Sequence, residues 1–380
     1  MIIGIDIRML AKGGKTGVEE YTCNLLENML SLDKSICFKL FYNGFKKQGI
    51  DYNWTQLSNV EVVNLKVPNK ALDASLRFFD FPKMEKLIGK IDKFFSPHIF
   101  LSSVGPESEK IVTFHDLSFE KYPEFYSKQK NFWHFSMDPK RQAQRADKII
   151  AVSESTKQDL TECYGIDPQK ISVIYSGLNP EATKDISEKQ KEEIKTKYRL
   201  PENFILYLGT IEPRKNIKSL ISAFDESKRS GFLKNSDMKL IIAGSKGWLY
   251  KEILGMPEKL KSQKDIIFTG FVEEKDKSAL YNLARLFVYP SFYEGFGFPP
   301  LEAMAQGTPV ITSNISSIPE AVANAAITIN PYNTDELLNA IESVLQDEKL
   351  SSELINLGKK RIEKFNWEKC GRETLDYIID

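Results

Sequence analysis

Ser291-Phe-Tyr-Glu-Gly-Phe-Gly-Phe-Pro-Pro-Leu-Glu-Ala-Met-Ala-Gln-Gly-Thr-Pro309 is the stretch from which the fold is read. It follows Leu286-Phe-Val-Tyr-Pro290, an apolar run with the length and side chains of a buried parallel strand. After Tyr289 the pattern breaks into Pro, Ser, Glu and two glycines, then turns helical from Pro300 to Gln306. Pro299-Pro300 suits a first helical turn, where the missing N–H costs little, and Gly307 suits the helix end. This is a strand, a glycine loop and a short helix, with Glu294 in the loop and Glu302 in the first helical turns.

That arrangement has a chemical use. Gly295 and Gly297 let the backbone approach a ligand, and the amides of a helix N-terminus favour an anion. Glu302 is placed to accept hydrogen bonds from a diol such as a ribose. Glu294 is placed to hold hydroxyls or a positive charge developing at a sugar carbon. The same residues would also suit a tight turn with solvated glutamates, so the rest of the chain has to decide.

At 380 residues the chain exceeds one ordinary core and predicts two domains. Apolar content of 42% and charged content of 27% are those of a soluble globular protein. Lys+Arg and Asp+Glu balance at 52 each, which argues against a nucleic-acid binder. Cys23, Cys37, Cys163 and Cys370 are scattered without a C-x-x-C pair, and the chain has three histidines. Neither a zinc site nor a disulfide framework is expected, and a reducing cytoplasm fits. Met1-Ile-Ile-Gly-Ile-Asp-Ile-Arg8 reads as a first strand and not as a signal peptide. No run approaches the ~18 apolar residues of a membrane span, which leaves attachment to a membrane surface open.

Working outward, strands alternate with helices along the chain. Ile2–Ile7 leads into Lys12-Gly-Gly-Lys-Thr-Gly17 and a helix over 18–32, the opening of a doubly wound domain. The loop is neither G-x-G-x-x-G nor a phosphate loop, but it lies at the carboxyl end of the first strand. Residues 71–95 are rich in Phe and Lys. Such a stripe reads as a core-facing helix with snorkelling lysines, or as a surface for an anionic bilayer. Ile111-Val-Thr-Phe114 ends in His115-Asp116, where α/β active sites lie. A single helix is predicted over 125–146.

Residues 181–197, dense in Lys and Glu, form a connector near the domain boundary. A second α/β unit starts at Asn203-Phe-Ile-Leu-Tyr-Leu208 and runs into Gly209-Thr-Ile-Glu-Pro-Arg-Lys-Asn216. Arg214 and Lys215, between strand and helix, form a diphosphate clamp: a bidentate fork beside a point charge. Adjacent Arg-Lys on a surface loop is usually solvated, and this setting raises its weight. The fold class is therefore α/β, two doubly wound Rossmann-like domains facing each other across a cleft.

With these residues in view, the sequence resembles the retaining GT-B glycosyltransferases of family 4, the group 1 glycosyl transferases. Glu294-Gly-Phe-Gly-Phe-Pro-Pro-Leu-Glu302 matches the family's E-x7-E element, and Thr210–Asn216 its diphosphate loop. Gly13-Gly-x-x-Gly17 and His115-Asp116 match its first half. Many members have Arg where Thr210 stands. Here Arg214 carries the guanidinium, as in bacterial mannosyltransferases of O-antigen and polysaccharide assembly whose loop also reads Glu-Pro-Arg-Lys-Asn.

The resemblance implies an acceptor-binding domain over 1–180, a donor domain over 181–365, and a final helix, 366–380, crossing back onto the first. It implies that Glu302 binds the donor ribose. Glu294, with the amides of Phe296, Gly297 and Phe298 beside Gly295, positions the sugar. Arg214, Lys215 and Thr210 meet the diphosphate, His115 meets the donor sugar or the acceptor, and Gly14 and Gly17 approach phosphates or acceptor. The implied substrate is a nucleotide sugar, GDP-mannose above others, with a saccharide or lipid-linked acceptor. No metal or cofactor is implied, and no Asp-x-Asp occurs. The expected location is cytoplasmic, with peripheral attachment at the inner face of the plasma membrane left open. The alternatives are a UDP-sugar-dependent transferase, or a nucleotide-sugar epimerase or hydrolase on the same scaffold. A dehydrogenase is disfavoured because neither loop carries the dinucleotide fingerprint.

Overall fold

The structure is a computed structural model and describes residues 1–12, 17–44, 50, 52–230 and 232–380. It divides into two compact units. The first comprises residues 1–120, 128–177 and 365–380, the second residues 121–127 and 178–364.

The first unit is built on seven parallel strands: β1 (Ile2–Asp6), β2 (Cys37–Tyr42), β3 (Val60–Asn64), β4 (Lys93–Ser96), β5 (Glu109–Phe114), β6 (Lys148–Ala151) and β7 (Ile171–Val173). Their spatial order is β3-β2-β1-β4-β5-β6-β7, with every neighbour parallel. The second unit has β8 (Phe204–Leu208), β9 (Lys239–Ala243), β10 (Ile266–Gly270), β11 (Leu286–Tyr289), β12 (Val310–Ser313) and β13 (Ile327–Ile329). Their order is β10-β9-β8-β11-β12-β13. The central strands are apolar on both faces, as helix-covered parallel sheets require. The expected double α/β class is what the chain forms.

Each sheet reverses its direction of winding once, between β1 and β4 and between β8 and β11. Ligands of open α/β sheets bind beyond the carboxyl ends of the strands at such a reversal. In the second sheet Leu286 pairs with Ile205 and Phe287 with Leu206, so the loops leaving β8 and β11 emerge side by side.

Three local expectations change. The single helix over 125–146 is instead a short turn, Pro123–Phe125, and two helices, Lys128–Met137 and Pro139–Arg145. Asp138, between the two helices, adopts a left-handed φ of 49°. Pro139 lacks the N–H a continuous helix needs and disfavours helical backbone at the residue before it. The helix expected from Pro300 begins at Phe298 and runs to Ala305, with both prolines in its first turn. The Phe/Lys segment folds into helices Asn69–Phe79 and Met84–Ile88 and strand β4. Leu72, Leu76, Met84, Ile88 and Phe94 enter one core cluster with Met137, whereas Phe78, Phe79 and Phe81 stay outside. Among the described residues no helix is long and apolar enough to cross a membrane.

The last helix, Trp367–Ile379, belongs to the first unit and lies along the helix Gly17–Met29. Asn366 caps it by accepting from the amides of Glu368 and Lys369. Tyr21 and Trp367 meet edge to face at 5.8 Å between them.

Candidate active site

The loop after β8 carries Arg214 and Lys215 in a short turn, Pro213–Lys215, that ends at Asn216 in left-handed backbone with φ 54°. Asn216 fixes the turn by donating from its amide to the carbonyl of Pro331 at 2.8 Å. The neighbouring loop after β9 presses on the start of the same loop. Gly244 has φ 137°, and a Cβ there would come 1.9 Å from the carbonyl oxygen of Gly209, so only glycine permits the contact. Ile211 and Lys246 then bridge the two loops.

The loop after β11 brings Glu294 to these cations. Lys215 Nζ donates to Glu294 Oε1 at 2.6 Å and Oε2 at 2.9 Å, and to the Tyr289 hydroxyl at 2.7 Å. Arg214 Nη1 donates to Glu294 Oε2 at 3.1 Å and to the carbonyl of Tyr293, while its Nη2 lies 2.9 Å from Glu212 Oε1. The backbone locks the two loops together, Phe292 donating its amide to the carbonyl of Arg214 at 2.9 Å. Glu294 is held from behind: its amide donates to Ser316 Oγ at 3.0 Å, and Ser317 Oγ donates to its carbonyl at 2.8 Å.

Glu212, Lys215 and Glu294 are buried, and the charge balance explains why that is tolerated. Two cations face two carboxylates, so no charge is buried alone. Burial by itself would push the Glu294 carboxyl up, but Arg214 and Lys215 outweigh it and bring it down to about 2. Glu212 goes the other way, raised because burial exceeds the pull of Arg214 and Lys215. Lys215 is lowered by burial and by its neighbour Arg214, against the opposing pull of Glu294 and Glu212. The site therefore keeps Glu294 ionised and poises cations beside it.

Glu302 does not join this network. It lies in the helix Phe298–Ala305, buried, where Tyr281 donates its hydroxyl to Glu302 Oε2 at 2.8 Å. Burial raises its carboxyl, with Lys277 and the Tyr281 hydrogen bond opposing. Gly297 precedes the helix with φ 111°, a backbone that L side chains resist. Phe296 is buried against Phe298, their rings 5.0 Å apart, and Gly295 lies partly buried between Glu294 and Phe296. Thr210 is exposed, and its carbonyl accepts from the Tyr207 hydroxyl at 3.1 Å.

In the first unit His115 follows β5. Its Nε2 donates to the carbonyl of Pro97 at 2.8 Å, and its ring meets Tyr21 edge to face at 4.7 Å and His98 at 5.7 Å. Burial lowers its pKa, against the Pro97 hydrogen bond and Asp116. Asp116 itself accepts from the amide of Ser118 at 3.0 Å and from its hydroxyl at 2.6 Å, a local turn ahead of the short helix Ser118–Lys121. Gly17 opens the first helix, and among the described residues nothing lies within 4 Å of where its side chain would go. Gly14 lies outside the described residues.

The structure thus brings Arg214, Lys215 and Glu294 into direct contact and holds Glu302 one helix segment away. Sequence reasoning missed Glu212, Tyr281 and Tyr289. Glu212 was within reach, since an acid two positions before a buried Arg-Lys pair is its natural counter-charge. The two tyrosines carried no signal, because each reads as an apolar core position.

Two family models match the chain: "Glycosyltransferase Family 4" over residues 16–182 and "Glycosyl transferases group 1" over residues 188–361. The Serotype-specific mannosyltransferase WbdA of Escherichia coli is 37% identical over 264 residues, 69% of this chain and 32% of that protein. The match therefore spans about a third of WbdA's own length. The O-antigen chain mannosyltransferase B of Escherichia coli is 31% identical over 272 residues, 70% of this chain and 69% of that protein. Among solved structures, a sucrose-phosphate synthase from Thermosynechococcus elongatus matches 99% of this chain and 98% of its own. Its TM-score of 0.74 at 19% identity establishes a shared GT-B fold. Both halves of the sequence and the arrangement of both sheets lead to one assignment: the chain belongs to the family 4, group 1 glycosyltransferases.

Proposed function

We propose that the chain transfers a mannosyl group from GDP-mannose, with retention at the anomeric carbon, to a saccharide carried on a lipid at the inner face of the plasma membrane. One observation carries the reading: two cations from one loop meet an ionised glutamate from the next at the sheet's switch point. A departing nucleoside diphosphate needs such cations, and the electrostatic term is usually the largest when charge develops on the leaving group. Arg214 and Lys215 supply it from side chains, so no metal or cofactor is required. Glu294, kept ionised, supports positive charge at the sugar carbon. Glu302 accepts from the ribose hydroxyls, with Gly295, the amides of Phe296, Gly297 and Phe298, and Thr210 lining the donor. His115 and the loop of Gly14 and Gly17 serve the first unit's share of donor or acceptor. The mannose rests on the names of the relatives, both mannosyltransferases, and the saccharide acceptor on one being named for the O-antigen chain.

The test is calorimetric binding of GDP, UDP, ADP and their sugar conjugates to the purified protein in excess chelator. Micromolar binding of GDP and GDP-mannose, lost in Glu302→Ala, is expected. Preference for UDP or ADP would discard mannose, and absence of nucleotide binding would overturn the transferase reading. Turnover of donor without acceptor would favour a hydrolase or epimerase, and the anomer of the product, read by NMR, decides retention.

A further inference from the structure

Five phenylalanines of the first unit stand out into solvent. Phe78, Phe79, Phe81, Phe132 and Phe135 are between 58% and 78% exposed. Scattered exposed apolar residues are ordinary, but a contiguous group marks a surface that meets something. These come from two places in the sequence, the end of the helix Asn69–Phe79 with its following turn and the helix Lys128–Met137.

Specific contacts join them into one surface. Arg77 Nη1 donates to the carbonyl of Phe135 at 2.6 Å and also to that of Ser136, and its guanidinium lies 5.0 Å from the Phe135 ring centre. Arg141 Nη1 donates back to the carbonyl of Arg77 at 2.8 Å. Ser75 Oγ donates to the carbonyl of Phe81 at 2.6 Å, tying the turn to its helix. The acid within the group, Asp80, is paired with Lys83 and Arg145, each at 2.8 Å. The helix Asn69–Phe79 already spends Leu72 and Leu76 on the core, so its outward rings are not a misplaced core face.

Charge identifies the occupant. Residues 66–90 and 128–145 together hold eleven Lys and Arg against four Asp and Glu, in a chain whose charges balance at 52 each. Exposed aromatic rings on segments rich in basic residues, with Arg77 against the Phe135 ring, match an anionic bilayer. The rings enter the acyl boundary while Lys and Arg reach back to phosphate headgroups. We propose that this two-helix surface seats the first unit on an anionic phospholipid membrane. It deepens the functional reading by naming the surface behind its membrane placement, and it rests on that reading only there.

The test uses the full chain with vesicles of phosphatidylethanolamine and phosphatidylglycerol, compared with phosphatidylcholine alone. Co-sedimentation with the anionic vesicles, weakened by salt, is expected. Phe78→Ser with Phe79→Ser, and separately Phe132→Ser with Phe135→Ser, should each lower partitioning roughly tenfold. Melting temperatures should hold, since these rings are exposed. Lys128→Glu with Lys130→Glu should weaken binding to the anionic vesicles. Absence of wild-type binding, or binding indifferent to either phenylalanine pair, would overturn the proposal. So would an oligomer that the serine variants dissolve while vesicle binding stays unchanged, which would make the face a contact between copies. Nucleotide binding measured on the same samples separates the two readings. Vesicle binding without nucleotide binding overturns the donor reading alone, and the reverse result overturns the membrane surface alone.

Discussion

The two units share one architecture and present different chemistry at their strand ends. In the second, the loops after β8 and β11 bury Glu212, Arg214, Lys215 and Glu294 in mutual ion pairs. In the first, the segments after β4 and β5 gather His98, His115, Trp133 and Tyr21, ring against ring, with burial holding His115 toward its neutral form. A prebuilt charge cluster is expensive to bury and pays off only where a charged group must be received, as a diphosphate would be. A ring-lined edge suits uncharged hydroxyls. Under the proposed function, the contrast would give charge handling to one unit and shape to the other.

The largest expected effect tests the charged side. Lys215→Ala and Glu294→Gln should each lower turnover by about 10²–10³, the usual magnitude for removing one electrostatic contact to developing charge. Because the two side chains bond each other, the double variant should lose far less than the product of the single losses. Initial rates of donor consumption by the purified variants check this, with a melting curve to confirm the fold. Losses that multiply would show the pair acting independently and break the picture of one unit. His115→Asn should cost less than either.

The second unit was also the more legible in the sequence, for a physical reason. A loop that must approach a ligand and bury charge needs glycines, prolines and acids at fixed spacing, and these leave a mark in residue type. Glu294, Glu302, Arg214 and Lys215 could be singled out that way, and the double β/α alternation followed from apolar periodicity. What holds those residues did not show. Tyr289 under Lys215, Tyr281 on Glu302 and Ser316 and Ser317 behind Glu294 come from a strand, a helix and a loop that only tertiary packing brings to the site. The break at Asp138 is legible in Pro139, but an apolar pattern that continues across it masks it. The exposed phenylalanines are the converse case, since helical periodicity does not distinguish an inward from an outward ring.

An intermediate effect compares the glycine loops. Gly297 has φ 111°, and a Cβ there would lie 2.9 Å from Ile318 Cδ1, so Gly297→Ala should cost about 1–3 kcal/mol. Gly17 meets no described residue within 4 Å of its Cβ direction, so Gly17→Ala should stay within about 0.5 kcal/mol. Urea midpoints of the two variants give the comparison directly. Equal costs would mean that the first loop is as tightly constrained as the second.

The smallest effect separates the units by pH. His134 stacks on Phe119 with ring centres 4.2 Å apart, and burial lowers its pKa to about 4, against a partial pull from Asp116. The unfolded chain takes up a proton below the ordinary histidine value of about 6.5, while the fold resists until about 4. Stability contributed by the neutral ring is therefore present above pH 6.5 and lost as the pH falls toward 4. Glu294 has the same sign in a lower window: its depressed carboxyl contributes above about 4.5 and loses that contribution as the pH falls toward 2. His134→Phe keeps the stack and removes the proton. It should flatten the decline between pH 6.5 and 4 by roughly 1 kcal/mol, a figure reduced for partial exposure. Glu294→Gln should leave the decline above about pH 4.5 alone and change only the decline below it. Denaturation at fixed pH steps reads both, and a decline in His134→Phe matching the wild type would remove the histidine ring from the account of the first unit.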